Sequence, residues 1–286
     1  MEIIAQIIIN SLIAGSVYAL VALSFNLMYA TGKFFNLAIG GLIPIGGYVV
    51  FYITKHAGLP IGFGIIVGII VTGLVGLLLD RLIYAQLRKR HASSLTLLIA
   101  SLGVFTALQA LLAMFFSSSY QTLPPFSETN YVVFGAHITA IQVCILVSAV
   151  VLSFGMHLVL RKTAFGTAVR AMSDDLEVSK IIGIDTEKIF GIVFFIAAAI
   201  LGYLGVLLGF DIGLDPLMGF LPMVAGIVGA IVGGMGVVLF GYPGAIVEGA
   251  LHNTIIYTYS AAWGSPVTFV LLIVFLLFRP RGLFKR

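Results

Sequence analysis

The twenty residues from Gly191 to Phe210 read GIVFFIAAAILGYLGVLLGF and contain no charged side chain. A hydrocarbon core about 30 Å thick needs roughly 20 apolar residues per helix, so this stretch predicts a membrane-spanning helix. The whole chain has the same character, because 60% of its 286 residues are hydrophobic and only 9% are charged. Soluble proteins carry about 25% charged residues. The composition therefore excludes a soluble enzyme, a disordered chain and a collagen-like repeat, and predicts a protein that crosses the membrane several times.

Similar apolar stretches lie on both sides of this one. We predict eight or nine spans, because the last two candidates are short and are interrupted near Pro243-Gly244 and Gly264-Ser265-Pro266. The predicted fold class is an all-α, polytopic transmembrane helical bundle, which forms a single transmembrane domain over residues 1–286. The candidate spans are 3–28, 34–53, 61–79, 95–116, 138–160, 191–210, 221–240, 243–262 and 264–279.

The distribution of basic residues predicts the orientation of the chain. Lysines and arginines cluster at 81–90, 161–188 and 279–286, whereas 117–137 and 211–222 contain neither. Loops rich in these residues stay on the cytoplasmic side of a membrane. With nine spans, the N-terminus is expected outside and the C-terminus in the cytoplasm.

Glu248 is the one carboxylate that falls clearly inside a predicted span, and His252 follows it by four residues on the same helix face. A charge at the bilayer centre costs about 2.5–3.5 kcal/mol on insertion scales, so the pair could belong to a translocation path or a proton site. The alternative, which we favour, is a residue about one turn above a cytoplasmic turn at Gly241-Tyr242-Pro243-Gly244, where it is hydrated or bonded to a helix N-terminus.

Glycines spaced four residues apart allow helix backbones to approach closely. We predict that they pack helices within one subunit, with an interface between subunits or a thin pore wall as the alternatives. The pairs are Gly64 and Gly68, Gly205 and Gly209, and Gly229 and Gly233.

The second predicted span is interrupted by glycine and proline. After Asn36 it contains Gly40-Gly41, Pro44 and Gly46-Gly47. Broken helices line substrate sites in many transporters, because the freed backbone groups need a polar cavity. Asn36, Gly40 and Gly41 are therefore candidate residues of a translocation path, together with Glu248 and His252.

Residues 161–190 separate two spans and form more than a linker. Apolar residues recur there at helical spacing, and Arg170 and Asp174 lie away from them at the spacing of an ion pair. Basic and acidic residues balance, so the segment is not a polybasic lipid-binding patch. It predicts an amphipathic cytoplasmic helix that either lies on its own bundle or docks into a groove of a separate protein. The apolar stripe consists of Phe165, Val169, Met172 and Leu176.

This segment resembles a known loop. Glu177-Val178-Ser179-Lys180-Ile181-Ile182-Gly183 has the E-A-A-x-x-x-G spacing of the coupling loop in permease subunits of ATP-binding-cassette importers. The wider run from Thr163 to Asp185 closely resembles the FGxAxRA…GID loop of the branched-chain amino-acid permease family (LivH/LivM type). Further stretches that fit this family in the same order are Ser16–Leu20, Ile99–Gly103, Gly233–Gly236 with Pro243–Ala245, and Arg279–Phe284.

The resemblance implies a non-enzymatic permease subunit of an ATP-driven importer in a bacterial or archaeal cytoplasmic (inner) membrane. Its solute would be a branched-chain or related amino acid. The partners would be two cytoplasmic ATP-binding subunits, a second permease (a paralogue or the same chain), an extracytoplasmic solute-binding protein and membrane lipid, with no nucleic acid. The chain would bind no cofactor, since it has no G-x-x-x-x-G-K-[ST] motif for nucleotide. ATP and magnesium would be held by the partner ATPases.

By the family pattern, the 165–183 helix enters a groove of the ATPase. Gly183 would make the sharp exit turn, charged side chains would contact the partner, and apolar ones would anchor the helix. The residues implied are Phe165, Gly166, Val169, Arg170, Met172, Asp174, Glu177 and Gly183.

The chain departs from the family where solute should pass. Amino-acid permeases typically read N-F-A-H-G-E after the first span, whereas this chain has Asn36-Leu37-Ala38-Ile39-Gly40-Gly41. Ile39 and Gly41 thus replace a histidine and a glutamate, Ala225 replaces a common lysine, and Glu248 stands where glycine is usual. A less polar path is predicted, so another amino acid, an amide or an apolar or aromatic carboxylate is also an open substrate.

A different class of function is a self-sufficient, proton-coupled secondary carrier or channel that uses Glu248 and His252. It would take up solute without partner ATPases. An intramembrane enzyme has no support, because the sequence contains neither HExxH nor GxSxG.

Overall fold

The computed structural model describes residues 2–124, 129–133 and 135–278. Helices dominate, because a bilayer requires backbone hydrogen bonds to be satisfied within the segment. The basic cluster at 279–286 and the stretch Arg279–Phe284 lie outside the described residues. The elements are α1 (Glu2–Gly32), α2 (Ile39–His56), α3 (Ile61–Leu79), a π-helical turn (Asp80–Tyr84), α4 (Ala85–Lys89), α5 (Ser94–Phe116), β1 (Asn130–Val133), β2 (Ala136–Thr139), α6 (Ala140–Lys162), α7 (Ala164–Asp174), α8 (Leu176–Ile181), α9 (Thr186–Asp211), α10 (Phe220–Gly233), α11 (Val238–Thr258), a 3₁₀ turn (Ala261–Trp263) and α12 (Gly264–Phe278).

The protein is a polytopic helical membrane protein. In the part of the chain that the structure describes, five helical stretches are long and apolar enough to cross a membrane. The predicted count of eight or nine spans would also require three or all four of α2, α10, α11 and α12, and it stays a prediction. The five stretches are Ile3–Gly32, Ile61–Lys89, Ser94–Phe116, Ala140–Lys162 and Thr186–Asp211.

Contacts between residues group the chain into two units. The first unit comprises Met1–Asn26, Pro124–Gly155 and the chain from Leu221 onward, and the second comprises Leu27–Leu123 and Met156–Phe220. The prediction of a single permease domain is not decided by this grouping and stays a prediction.

In the second unit, α2, α3 and α9 pack against one another and α5 packs on α2. Glycine brings α2 and α9 into backbone contact. A Cβ on Gly46 would overlap the Gly202 carbonyl, and a Cβ on Gly205 would overlap the carbonyl oxygen of Ile43. Residues with no Cβ therefore determine how closely these two helices approach.

In the first unit, glycines hold α10 and α11 against each other and against α1. Gly226 of α10 lies against Val21, and Gly229 lies against Ala245 of α11. Gly249 lies against the Gly15 backbone. Every glycine of the three predicted pairs contacts another part of this chain, which confirms packing within the subunit.

The predicted interruption of the second span at Gly40–Gly47 is wrong in position. α2 runs without a break from Ile39 to His56 with Pro44 inside it, and the non-helical segment is 33–38. Pro44 removes only one helical hydrogen bond, the one from its own nitrogen to the Gly40 carbonyl. α9 packs closely along α2, because the glycines of α2 leave room for the α9 backbone. This packing stabilises α2 around the proline.

The predicted turn at 241–244 is also wrong, because α11 runs through Pro243. The chain breaks earlier, at residues 234–237, where Gly234 and Gly236 have backbone φ angles of +121° and +77°. Asn26 of α1 holds this break. Its Oδ1 accepts from the Gly236 amide at 2.9 Å, and its Nδ2 donates to the Val237 carbonyl at 3.4 Å.

A short antiparallel hairpin departs from the predicted all-α class. β1 pairs with β2 in the register Tyr131 to Ile138. A side chain of α1 extends this pairing, since the Gln6 Oε1 accepts from the His137 amide at 2.9 Å.

Candidate functional site

The 161–190 segment forms two helices instead of the single helix predicted over 165–183. α7 ends at Asp174 and α8 begins at Leu176. The Oδ1 of Asp175, between them, accepts hydrogen bonds from the Glu177 and Val178 amides at 2.9 and 3.0 Å. Asp175 thus caps the second helix, and its extended backbone ends the first. The spacing of apolar residues does not reveal such a break.

Gly183 turns the chain sharply away from α8. Its backbone φ is +88°, in the left-handed region that favours glycine. The amides of Gly183 and Ile184 donate to the carbonyls of Lys180 and Ser179 at 3.1 and 3.0 Å, which are the two bonds of a Schellman cap. The exit turn predicted at Gly183 is present, and its role in coupling stays a prediction.

The apolar stripe of α7 faces the chain itself. Val169 and Met172 are 2% and 1% exposed, and Phe165 is half-buried. Gly166 is buried against the Leu160 backbone, which a Cβ would overlap. Of the two arrangements left open by the sequence, α7 adopts the one in which the helix lies on its own bundle. Contacts of these residues with a partner stay a prediction.

The exposed large apolar residues of this segment lie on α8 and at its C-cap, Ile182, and were not predicted. Val178, Ile181 and Ile182 are 51%, 83% and 65% exposed, and we call them the α8 patch. The signal for them was present in the sequence, since they lie within the run Glu177–Gly183.

The charges of this segment pair differently from the prediction. Arg170 donates to the Thr167 Oγ1 at 3.4 Å, so the ion pair predicted with Asp174 is not formed. Lys180 instead pairs with Glu177 at 2.8 Å on α8. Pairs this exposed contribute little to stability, so these charges are free to change partners.

A partly buried charge cluster, also missed from the sequence, lies in the second unit. Arg88 of α4 bonds the Asp80 Oδ1 at 2.7 Å and the Glu187 Oε2 at 3.3 Å. Its guanidinium lies 3.8 Å from the centre of the Phe190 ring. The sequence grouped Arg88 with the basic residues of a loop. The signal that it is buried is Asp80, an acidic residue placed directly after the nineteen uncharged residues of α3.

Asn36 lies in the non-helical segment before α2, where it is buried and hydrogen-bonded. Its Oδ1 accepts from the Ala38 amide at 3.0 Å and from the Tyr84 hydroxyl at 3.1 Å. Its Nδ2 donates to the Met28 sulfur at 3.2 Å. In this conformation Asn36 holds the entry to α2, and its role in solute passage stays a prediction.

The other candidates near α2 are packed inside the second unit. A Cβ on Gly41 would lie 3.1 Å from Leu108 of α5, and the Gly40 carbonyl faces Gly219. Ile39 is fully buried, as is Ala225 on α10 of the first unit. The two positions at which family histidine and lysine are replaced therefore carry small or apolar buried side chains.

Glu248 and His252 lie on α11 of the first unit and have separate partners. Glu248 is 1% exposed, so the predicted hydrated carboxylate beside a turn is wrong. Its Oε1 accepts from the Thr268 hydroxyl at 2.7 Å, and among described residues its Oε2 has no partner. The His252 Nδ1 lies 3.4 Å from the Tyr18 hydroxyl. The structure thus puts Asn36, Gly40 and Gly41 in one unit and these two residues in the other.

The described residues contain no group of three or more His, Cys, Asp or Glu that could hold a metal ion. Among the candidate path residues, Asn36, Glu248 and His252 offer hydrogen bonds, and the 161–190 segment offers charged side chains. Such groups can orient a solute or a partner helix.

Comparison with known proteins gives a match over almost the whole chain. The family model described as "Branched-chain amino acid transport system / permease component" matches residues 7–276. The high-affinity branched-chain amino acid transport system permease protein BraD of Pseudomonas aeruginosa is 31% identical over 98% of this chain and 95% of its own length. The corresponding LivH protein of Escherichia coli K12 is 29% identical with the same coverage. A probable permease LivH of Methanocaldococcus jannaschii is 28% identical over 97% and 91%. No solved structure matches the chain.

Proposed function

Because the chain belongs to the family of branched-chain amino acid transport system permease components, we propose that it is the membrane-spanning subunit of an ATP-binding-cassette importer. It crosses the cytoplasmic (inner) membrane eight or nine times, with the N-terminus outside. It forms the pathway with a second permease chain, either a paralogue or another copy. Two cytoplasmic subunits hydrolyse ATP, and an extracytoplasmic binding protein delivers the solute.

The α8 patch is the observation that carries this proposal. Three large apolar side chains are exposed, two on a short helix and one at its C-cap, and Asp175 and Gly183 cap the two ends of this helix. A cluster of exposed apolar side chains marks a contact with another protein or with a membrane, and on the cytoplasmic side proposed for this segment we assign it to a protein. Since both ends of α8 are held, little conformational freedom is lost on docking. We assign the contact with the ATPase groove to α8, with the Glu177–Lys180 pair at its rim.

We propose a branched-chain or related amino acid as the solute. The printed names of the relatives specify branched-chain amino acids for those proteins. Ile39, Gly41 and Ala225 support a path less polar than the family pattern, and so a preference for the more apolar members of this class. The residues proposed to line the path remain Asn36, Gly40, Gly41, Glu248 and His252.

Replacing Ile181 by serine tests the docking assignment. Because this side chain is 83% exposed, Ile181→Ser is expected to fold normally. We place Ile181 among the few central residues that dominate an interface, whose truncation costs about 2 kcal/mol or more in binding. ATP-driven uptake of labelled leucine into proteoliposomes should therefore fall by about tenfold or more. The assay contains the permeases, both ATPases and the binding protein. Lys162→Ala, an exposed change at the end of α6, is the matched control and should keep full uptake.

The same vesicles distinguish the alternative function. If the permease alone took up solute under a proton gradient, and Glu248→Gln abolished that uptake, the protein would be a secondary carrier. Unchanged uptake in Ile181→Ser, with ATP dependence intact, would contradict only the assignment of α8.

A further inference from the structure

Arg88 connects two parts of the second unit that differ in sequence position by about one hundred residues. It bonds Asp80 at the start of the π-helical turn and Glu187 in the first turn of α9. Asp80 is 1% exposed and Arg88 is 11% exposed. A buried ion pair tolerates little separation, because removing one partner leaves an uncompensated charge. The buried pair with Asp80 therefore holds Arg88 in place. The start of α9 is held by the bond from Arg88 to Glu187, which is 46% exposed, and by the contact of the guanidinium with the Phe190 ring.

The π-helical turn is what allows this cluster to form. In a regular α-helix, residues eight apart differ by about 80° around the axis, whereas residues seven apart nearly coincide. A π turn accommodates one additional residue. Asp80 and Arg88 are eight residues apart across such a turn, so the insertion brings them onto one face.

The same turn ends in Tyr84, which reaches the entry to α2. Its hydroxyl donates to the Asn36 Oδ1 at 3.1 Å. Its ring lies 5.3 Å from those of both Phe34 and Phe194, which hold it in place. The π turn thus contacts the α9 start at one end through Arg88 and the α2 entry at the other.

Glu187 is also close to the α8 patch along the chain. The Schellman cap at Gly183 ends α8, and Asp185 caps α9 by accepting from the Lys188 amide at 3.1 Å. Only three residues separate Gly183 from Glu187. A displacement of α8 therefore acts on Glu187 across a short segment with caps on both sides.

We propose that Arg88, Asp80 and Tyr84 are positioning residues that transmit displacement of α8 by a docked ATPase, through Glu187 and the π-helical turn, to Asn36 at the entry to α2. This proposal rests on the proposed function. It makes coupling between ATP hydrolysis and uptake depend on contacts that touch neither ATP nor solute.

The experiment removes one contact at each end of the path. Glu187→Gln weakens the bond to Arg88 at the α9 end, and Tyr84→Phe removes only the hydroxyl that bonds Asn36. Arg88 itself is left unchanged, because its loss would leave Asp80 buried without a partner. Each complex is reconstituted with its ATPases and binding protein, and the solute transported per ATP hydrolysed is measured.

Each variant is expected to lower the transport ratio, which is the solute transported per ATP hydrolysed, by about threefold or more while ATP hydrolysis persists. The double variant should have the ratio of the more affected single variant, since residues in one network give non-additive effects. Tyr52→Phe on α2, where the tyrosine is exposed, and Lys89→Gln beside Arg88 are controls expected to leave the ratio unchanged.

Two results would overturn the proposal. One is a double variant whose transport ratio falls by a factor equal to the product of the factors of the two single variants, which would show that the two sites act independently. The other is a proportional fall in complex yield, ATP hydrolysis and uptake with an unchanged ratio, which a purely structural role would give. If the wild-type complex itself shows no ATP-dependent uptake, the proposed function has failed, and this outcome is distinct from both.

Discussion

At the scale of single residues, two asparagines each hold one non-helical segment of the chain. Asn36 bonds the Ala38 amide, and Asn26 bonds both the Gly236 amide and the Val237 carbonyl. A carboxamide offers a donor and an acceptor in one planar group, which suits a backbone that cannot reach water. Asn36 was identified from sequence because it precedes the glycines of α2. Asn26 was not, since its partners lie about 210 residues away along the chain.

Thr268→Val tests the importance of the bond to Glu248. The valine keeps the shape of the side chain but removes the only described hydrogen bond of this carboxyl. Leaving a buried polar group without its partner costs about 1–3 kcal/mol. We expect a lower thermal unfolding temperature in detergent for this variant.

Thr258→Val is the matched control for Thr268→Val. The Thr258 hydroxyl is exposed and bonds the Thr254 carbonyl of its own helix at 2.8 Å, so its loss should change the unfolding temperature little. Equal effects of the two substitutions would show that the Thr268–Glu248 bond does not contribute to stability.

At the scale of helices, long apolar runs allowed accurate prediction and interruptions did not. α5, α6 and α9 begin and end within five residues of the predicted spans. The π turn at Asp80, the break at 234–237 and the division at Asp175 were all missed. Each of these three interruptions depends on a distant partner or on one capping side chain. Hydrophobic periodicity reveals neither of these.

Gly205→Ala should separate α2 from α9. The added methyl would overlap the Ile43 carbonyl oxygen, and a backbone atom cannot move aside as a side-chain end can. Overpacking costs about 1–3 kcal/mol and occasionally more, so we expect a clearly lower unfolding temperature and less folded protein in detergent.

Gly103→Ala controls for the loss of a glycine from a membrane helix. A Cβ at Gly103 of α5 meets nothing within 4 Å, and alanine has the higher helix propensity. This variant should be as stable as the wild type or more so. A Gly205→Ala protein that unfolds at the same temperature as Gly103→Ala would mean that α2 and α9 do not depend on this contact.

At the scale of the whole molecule, the composition alone predicted a polytopic membrane protein, and the family followed from the 163–185 loop. The candidate site was predicted less completely. Gly183 and its turn were recognisable, because a positive φ at a helix end favours glycine. The Arg88 cluster was not, because the π turn that brings Asp80 and Arg88 onto one face has no sequence period of its own.

The orientation of the chain can be tested by cysteine labelling. Cys144 is the single cysteine, so a Cys144→Ser background allows one site to be labelled at a time. From the positive-inside rule, Ser118→Cys should react with a membrane-impermeant maleimide in intact cells. Thr167→Cys should react only after the cells are permeabilised. Both positions are exposed, so both cysteines can react. The reverse labelling pattern would show that the chain has the opposite orientation.

The close glycine contacts have a consequence for how this membrane protein is held together. Where a Cβ would overlap a carbonyl oxygen, the glycine hydrogen in that direction points at the oxygen, as at Gly205 with Ile43 and at Gly219 with Gly40. Such Cα–H···O bonds contribute about 0.5–1 kcal/mol each. The Gly40 carbonyl is the one that loses its helical donor to Pro44. A carbon atom thus supplies the donor that a proline nitrogen cannot, in an environment where lipid supplies none.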